Sequence, residues 1–226
     1  MNTFVVLSEK IWHNKLFETV KSNFPENRWI RINTRNDFNI EYLNILKPSK
    51  IFIPHWSHII PEEIFNNYEC VVFHMTDLPY GRGGSPLQNL IVRGHKDTKI
   101  SALKVNKGLD TGPIYLKEPL SLLGSAEEIF VRASDTIEQM IIKIIQKNLS
   151  PIPQKGEPAT FKRRKPKDGN IQNLENIDQI YDYIRMLDAD GYPPAFLEFG
   201  NFKLEFSRAS VQSDKTLLAD VRIIEK

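Results

Sequence analysis

Four short apolar runs set the limits on how this chain can fold. They are TFVVLS (Thr3–Ser8), RWIRIN (Arg28–Asn33), IFIPH (Ile51–His55) and CVVFH (Cys70–His74). Each reads as a strand, and the weak alternation of Thr3–Ser8 fits a central strand covered on both faces. The stretches between them are too long for hairpin turns and carry helical spacing. Glu9–Asn23 sets Ile11, Trp12, Leu16, Phe17 and Val20 along one side and stops before Pro25. Ile40–Leu46 is a short helix stopped by Pro48, and PEEIFNN puts proline and acids in the first turn of another. This repeated alternation predicts a three-layer α/β domain with a mainly parallel sheet and right-handed crossovers. The turn after Thr3–Ser8 has no GxGxxG, so a dinucleotide-binding fold is not expected.

Beyond His74 the pattern loosens. Ser85–Val92 reads as a helix, Ile100–Val105 and Pro113–Leu120 as strands, and Ala126–Asn148 as the longest helix. Ile129, Phe130, Ala133, Ile137, Met140, Ile141 and Ile144 share one face of that helix, which reads as a core face. Composition changes after Leu149, where SPIPQKGEPATFKRRKPKDGN has four prolines and no long apolar periodicity. The expected division is a domain of residues 1–150 followed by residues 151–226. The second part comprises an extended arm, a helix at Ile177–Leu187 and a short α+β extension. Its candidate strands are Phe196–Phe199, Phe202–Phe206 and Leu217–Ile224.

A chain of 226 residues can hold one ordinary domain and a small appendage. Its formal charge of +2 gives no bulk attraction to nucleic acid. The one cysteine, Cys70, cannot form an internal disulfide and reads as an inert core thiol. No apolar stretch approaches the ~20 residues of a membrane span, and no signal-peptide pattern opens the chain. The expectation is a cytoplasmic protein with no membrane partner.

The candidates for chemistry gather in Val72–Gly112. His74 ends an apolar run and enters the glycine- and proline-rich loop HMTDLPYGRGG. Its imidazole could donate to an oxyanion, relay a proton, or merely bond to loop backbone. Asp110 sits in GLDTG, where flanking glycines would let a ligand approach closely. Its carboxylate could orient His74, accept a proton, or close an Asx turn. A single DTG without an all-β pattern does not make an aspartic protease. Arg82, set between glycines, could hold an anion, but no Walker ending follows. His55 and His58 form one metal-ligand pair without a nameable third ligand, so no metal is expected. KRRKPK (Lys162–Lys167) places five cations within six residues, either as a solvated strand or as a surface for phosphates.

On these residues the chain resembles the folate-dependent formyltransferase family. HMTDLPYGRGGSP (His74–Pro86) is similar to that family's HxSLLPxYRGxxP loop, and GLDTGPI (Gly108–Ile114) to its GxDTGxI signature. HWSHIIP (His55–Pro61) resembles the segment before the catalytic strand, and FKRRKPKDG (Phe161–Gly169) the family's RxPxDG segment. IRMLDADGYPPAF (Ile184–Phe196) looks like a helix and turn of sugar formyltransferases. The resemblance is of the methionyl-tRNA formyltransferase-like type, nearest in character to the nucleotide-sugar N-formyltransferases.

The resemblance implies a formyltransferase-like α/β fold and transfer of a formyl group from N10-formyltetrahydrofolate to a primary amine. His74 and Asp110 fit the second and third places of the family's Asn-x-His…Asp site. The first place falls on Val72, which cannot donate a hydrogen bond. Thr76, Asn106 or a water would have to substitute, or activity would be altered or lost. By resemblance, His58, Ile59, Ile60 and the backbone of Val105, Asn106, Lys107, Gly108 and Leu109 would lie by the pterin. Thr76, Tyr80, Gly81, Arg82, Gly83 and Gly84 would face the acceptor. About thirty residues follow Phe196, short for the C-terminal barrel of the tRNA enzymes. The expected acceptor is therefore an amino sugar, nucleotide-linked and destined for surface polysaccharide, and nucleic acid is not expected as a partner. The alternatives are another small amine, or an inactive homologue that binds folate or a sugar nucleotide. Exposed apolar residues of the tail could form a homodimer surface or cover the sheet edge.

Overall fold

The structure is a computed structural model and describes residues 1–226. Its first elements are β1 (Thr3–Leu7), α1 (His13–Asn23), β2 (Arg28–Ile32), α2 (Ile40–Leu46), β3 (Lys50–Ile53), α3 (Glu62–Asn67) and β4 (Cys70–His74). There follow β5 (Arg82–Gly83), α4 (Pro86–Ile91), β6 (Asp97–Lys104), β7 (Ile114–Ser121), α5 (Ala126–Gln146) and β8 (Thr160–Phe161). A 3-10 turn at Pro166–Gly169, α6 (Ile177–Arg185), β9 (Ala195–Phe199), β10 (Phe202–Val211) and β11 (Leu217–Glu225) complete the chain. Two compact units interleave along it. The first comprises Met1–Gly83, Thr98–Leu120 and Val131–Thr160; the second comprises Gly84–Asp97, Ser121–Phe130 and Phe161–Lys226.

The sheet of the first unit has the order β2-β1-β3-β4-β6-β7. β1 pairs in parallel with β2 and β3, and β3 with β4. The middle strands carry apolar runs because both faces are covered: Val5, Val6, Leu7, Ile51, Phe52 and Val71 are fully buried. Cys70 is buried at the start of β4, and desolvation pushes its thiol up to about 12, as an inert core thiol requires. β4 and β6 are antiparallel, with Val71 opposite Lys104 and His74 opposite Ser101. The sheet is thus mostly parallel, with its direction reversed beside the strand that carries His74.

α1 begins at His13, later than the apolar spacing predicts. Ser8 Oγ accepts the Lys10 N–H at 3.1 Å and bonds His13 Nδ1 at 2.6 Å. Residues 10–14 are taken up by tight turns, and His13, Leu16 and Val20 form the buried side while Ile11 is exposed. The expected stripe on α5 is buried at all seven positions.

In the second unit, β11, β10 and β9 form an antiparallel sheet in that order. The basic run lies along this unit. Asn89 donates to the Lys162 carbonyl at 2.9 Å, and Arg164 stacks over Tyr183 and donates to the Asp168 carbonyl at 2.6 Å. Buried Arg185 donates to Asp182 and to the carbonyls of Leu122 and Gly124. No helix is long and apolar enough to cross a membrane.

Candidate functional site

β4 delivers His74 at its last residue, where the chain turns into the glycine loop. Its Nε2 lies 2.8 Å from the Gly81 carbonyl oxygen. A carbonyl only accepts, so Nε2 carries the hydrogen. Nδ1 then faces Asp110 Oδ2 at 3.6 Å, and both side chains are largely buried. The neutral ring therefore spends its one N–H on the Gly81 carbonyl and turns an unprotonated Nδ1 toward the carboxylate, and only the imidazolium form would donate on both sides.

Asp110 reaches this position by a detour. Lys104, the last residue of β6, pairs with Val71, three residues before His74, or about 10 Å along the strand. The loop after β6 doubles back over that distance. Asp110 itself has φ 52, a left-handed conformation uncommon outside glycine. Its Oδ2 accepts the Gly83 N–H at 2.8 Å. Asn106 Oδ1 braces the loop from inside, accepting from the Gly108 N–H at 3.1 Å and the Thr111 hydroxyl at 2.8 Å. The glycines of GLDTG are required by the packing of the chain on itself. A Cβ on Gly112 would sit 1.7 Å from the Lys104 carbonyl oxygen, and one on Gly108 would sit 2.2 Å from Thr111 Oγ1.

One residue outside both motifs ties the two loops together. Gln154 Nε2 donates to the carbonyls of Asp110 and Gly112, each at 2.8 Å, while its Oε1 accepts from Arg82 Nη2 at 2.7 Å and Nε at 3.2 Å. The Arg82 guanidinium is thereby aimed by Gln154. Nothing in the sequence singles out Gln154, which lies in the proline-rich stretch after α5 and shares no motif.

The glycine loop is similarly fixed. Gly81 (φ 80) and Gly83 (φ 104) take conformations that side chains resist, and Gly81 and Arg82 both donate N–H groups to the Ala159 carbonyl at 2.9 Å. The buried Thr76 hydroxyl donates to the Gly81 carbonyl at 3.3 Å, so it is engaged within the loop. Ser101, also absent from the sequence reading, donates to the Thr76 carbonyl at 2.7 Å and accepts the Leu78 N–H at 3.2 Å. Asp77 is anchored by Lys117 and Lys99. Burial works to raise its carboxyl, but hydrogen bonds and charge from the two lysines hold it below the usual range. Val72 packs against Leu78, Leu103 and Ile114, as an aliphatic residue in an apolar cluster.

The remaining expected site residues divide. Ile60 is buried in the core cluster, and Val105 packs on that same cluster. Ile59 and Leu109 are 89% and 65% exposed. His58 lies edge-on to Trp56 at 5.2 Å. Lys107 is exposed on the Asp110 loop, and Tyr80 lies at the surface of the glycine loop. Gly84 belongs to the second unit, where a Cβ would meet Arg163 at 2.5 Å. A buried polar group absent from the expected site lies after β1 and β3. Burial draws His13 down to about 3, helped by the charges of His55, Arg31 and Lys10; burial and Lys10 draw His55 down to about 4.

Residues 9–149 match the family described as Formyl transferase, and residues 166–224 match the C-terminal domain of methionyl-tRNA formyltransferase. A solved methionyl-tRNA formyltransferase from Clostridium thermocellum is 48% identical over the full length of both chains, with a TM-score of 0.97. The methionyl-tRNA formyltransferase of Rickettsia felis is 28% identical across 204 residues, which is 82% of this chain and 67% of that relative. Against the first curated relatives, this chain spans 60% to 67% of their length. A sugar N-formyltransferase from Shewanella covers 97% of the chain at 13% identity with a TM-score of 0.66, a likeness of fold alone. The expected nearness to nucleotide-sugar N-formyltransferases is therefore corrected. The Clostridium thermocellum protein matches this chain end to end, so the short stretch after Phe196 does not distinguish sugar enzymes from those named for methionyl-tRNA.

Proposed function

Because the chain belongs to the formyl transferase family, we propose that it moves a formyl group from N10-formyltetrahydrofolate to a primary amine. The observation that carries this reading is the His74–Asp110 pair, at 3.6 Å, held between the Gly81 carbonyl and the Gly83 N–H. The folate supplies an activated formyl carbon. The amine nitrogen adds to that carbon, and the bond from carbon to N10 then breaks. The amine gives up one proton and N10 takes one, so the transfer needs no other reactant. His74 would meet the developing oxyanion by turning its Nε2–H from the Gly81 carbonyl to the substrate, and Asp110 would receive the amine proton directly or through water. Exposed Ile59 and Leu109 offer apolar surface to the pterin.

For the acceptor, the names of the relatives supply the first candidate, the α-amine of methionyl-tRNA. Lys162, Arg163, Lys165 and Lys167 are exposed and suit a phosphate backbone. A second reading rests on Val72, whose apolar packing leaves no amide at the place of the family's asparagine. In that reading the protein binds folate without turning it over.

The test measures tetrahydrofolate release from N10-formyltetrahydrofolate with methionyl-tRNA, and separately with a panel of small primary amines. Acceptor-dependent release that disappears in His74→Ala supports transfer. Release with small amines and none with methionyl-tRNA moves the acceptor to a small molecule. Folate binding without release in any arm establishes the second reading.

A further inference from the structure

The carbonyl of Gly81 receives two side-chain donors. His74 Nε2 reaches it at 2.8 Å and the Thr76 hydroxyl at 3.3 Å. A carbonyl oxygen has two lone pairs, so it accepts both at once. The shorter bond belongs to the group that has to leave: meeting the developing oxyanion would oblige His74 to turn its Nε2–H away from this carbonyl. Gly81 is buried, and the N–H groups of Gly81 and Arg82 both bond the Ala159 carbonyl at 2.9 Å, which holds this part of the loop in place. When the imidazole departs, the Gly81 oxygen stays inside the protein, where an acceptor without a donor is costly.

Thr76 is held so that it stays behind. It has no exposed surface, so its hydroxyl does not reach a substrate. Ser101, which lies opposite His74 across β4 and β6, donates to the Thr76 carbonyl at 2.7 Å. The Leu78 N–H donates to the same carbonyl at 3.0 Å. With its backbone fixed by these two bonds, Thr76 turns its hydroxyl to Gly81. That bond is longer than the usual O–H···O distance by about 0.5 Å, so it has room to tighten.

We propose that Thr76 is a positioning residue that takes over the Gly81 carbonyl from His74 during catalysis. The inference rests on the formyl-transfer reading. In the resting site the carbonyl holds the imidazole by its one N–H. As His74 turns that N–H to the oxyanion, the Thr76 hydroxyl shortens its bond and keeps the buried oxygen satisfied. Only hydrogen bonds are exchanged, and no proton changes owner in this step. Thr76 acts on the rate through His74 and touches neither folate nor acceptor. Its hydroxyl matters only once the imidazole has left the carbonyl, so its loss raises the barrier without weakening substrate binding.

Thr76→Val keeps the shape of the side chain and removes the donor. Steady-state formyl transfer is expected to show kcat reduced about tenfold or more, as for a buried acceptor left unpaired, with KM unchanged. Thr76→Ser should recover most of the rate, and Thr76→Cys, a weak donor, should fall between. Heteronuclear NMR of the histidine rings supplies a readout that needs no turnover. In Thr76→Val the imidazole is the sole side-chain donor to the carbonyl, so the His74 Nε2 proton should exchange with water several-fold more slowly than in the wild type. An active wild type whose Thr76→Val variant keeps its kcat overturns the proposal and leaves formyl transfer standing. So does a loss that appears in KM, or unaltered proton exchange at His74. Should valine prevent folding, a cysteine variant as fast as the serine variant overturns the proposal instead. A wild type that releases tetrahydrofolate with none of the acceptors overturns the transfer reading, and the handover with it.

Discussion

Val72 and His74 lie two residues apart on β4, so they project to the same face of the sheet. One ends in a polar pair with Asp110, while the other packs against Leu78, Leu103 and Ile114. Val72→Asn would place an amide beside His74 at the cost of that packing. An added oxyanion donor is expected to raise kcat about tenfold or more, since losing one in other enzymes costs roughly 10²–10³. Inserting the amide into an apolar cluster is expected to cost about 1–3 kcal/mol. Formyl-transfer rates and urea unfolding measure the two effects. An unchanged rate would show that another donor already fills the role.

Asp110 accepts the Gly83 N–H and faces the His74 ring. Asp110→Asn keeps an oxygen for Gly83 but removes the charge. Transfer is expected to fall about 10²–10⁴-fold, the usual range for a lost acid–base group. The thermal unfolding midpoint should barely move. A collapse of the midpoint would show that the charge serves folding instead.

Gln154 joins Arg82 to the carbonyls of Asp110 and Gly112. Gln154→Ala leaves these partly buried groups without partners and is expected to cost about 1–3 kcal/mol. Gln154→Glu keeps an acceptor for Arg82 but turns a carboxylate toward two carbonyl oxygens. It should be at least as damaging as alanine, in both unfolding midpoint and kcat. Wild-type behaviour of Gln154→Glu would remove Gln154 from the positioning of Asp110.

The strands that build the floor of this site could be read early because burial on both faces leaves nearly unbroken apolar runs, as in β1, β3 and β4. His74 and Asp110 stood out through the glycines and prolines around them. The direction of β6 was not legible: Ile100–Leu103 would be as apolar in either orientation. Gln154 was hidden for a related reason. Its significance arises only when Asp110, Gly112 and Arg82 arrive around it, and its neighbours Pro151 and Pro153 suggest nothing but a connector. That Gly108 and Gly112 admit close approach of their own chain is not legible either, because a glycine that admits a ligand and one that admits its own chain look alike in sequence. The sugar acceptor rested on the extent of the tail after Phe196, and the end-to-end match with the Clostridium thermocellum protein removed that support.

His13 and His55 make the fold sensitive to mild acid. Their folded values, about 3 and about 4, lie below the ordinary 6.5. Between pH 6.5 and about 4 the unfolded chain takes up protons that the folded chain refuses, so stability falls as pH falls. The two groups together set a slope of at most about 2.7 kcal/mol per pH unit. Ser8→Ala with His13→Leu removes one of the two groups together with its hydrogen-bond partner. Urea unfolding at steps from pH 7 to pH 4.5 should then show a slope reduced by about half, from the one remaining histidine. Equal slopes in wild type and double variant would mean that His13 is protonated in the folded protein, against its burial beside Ser8.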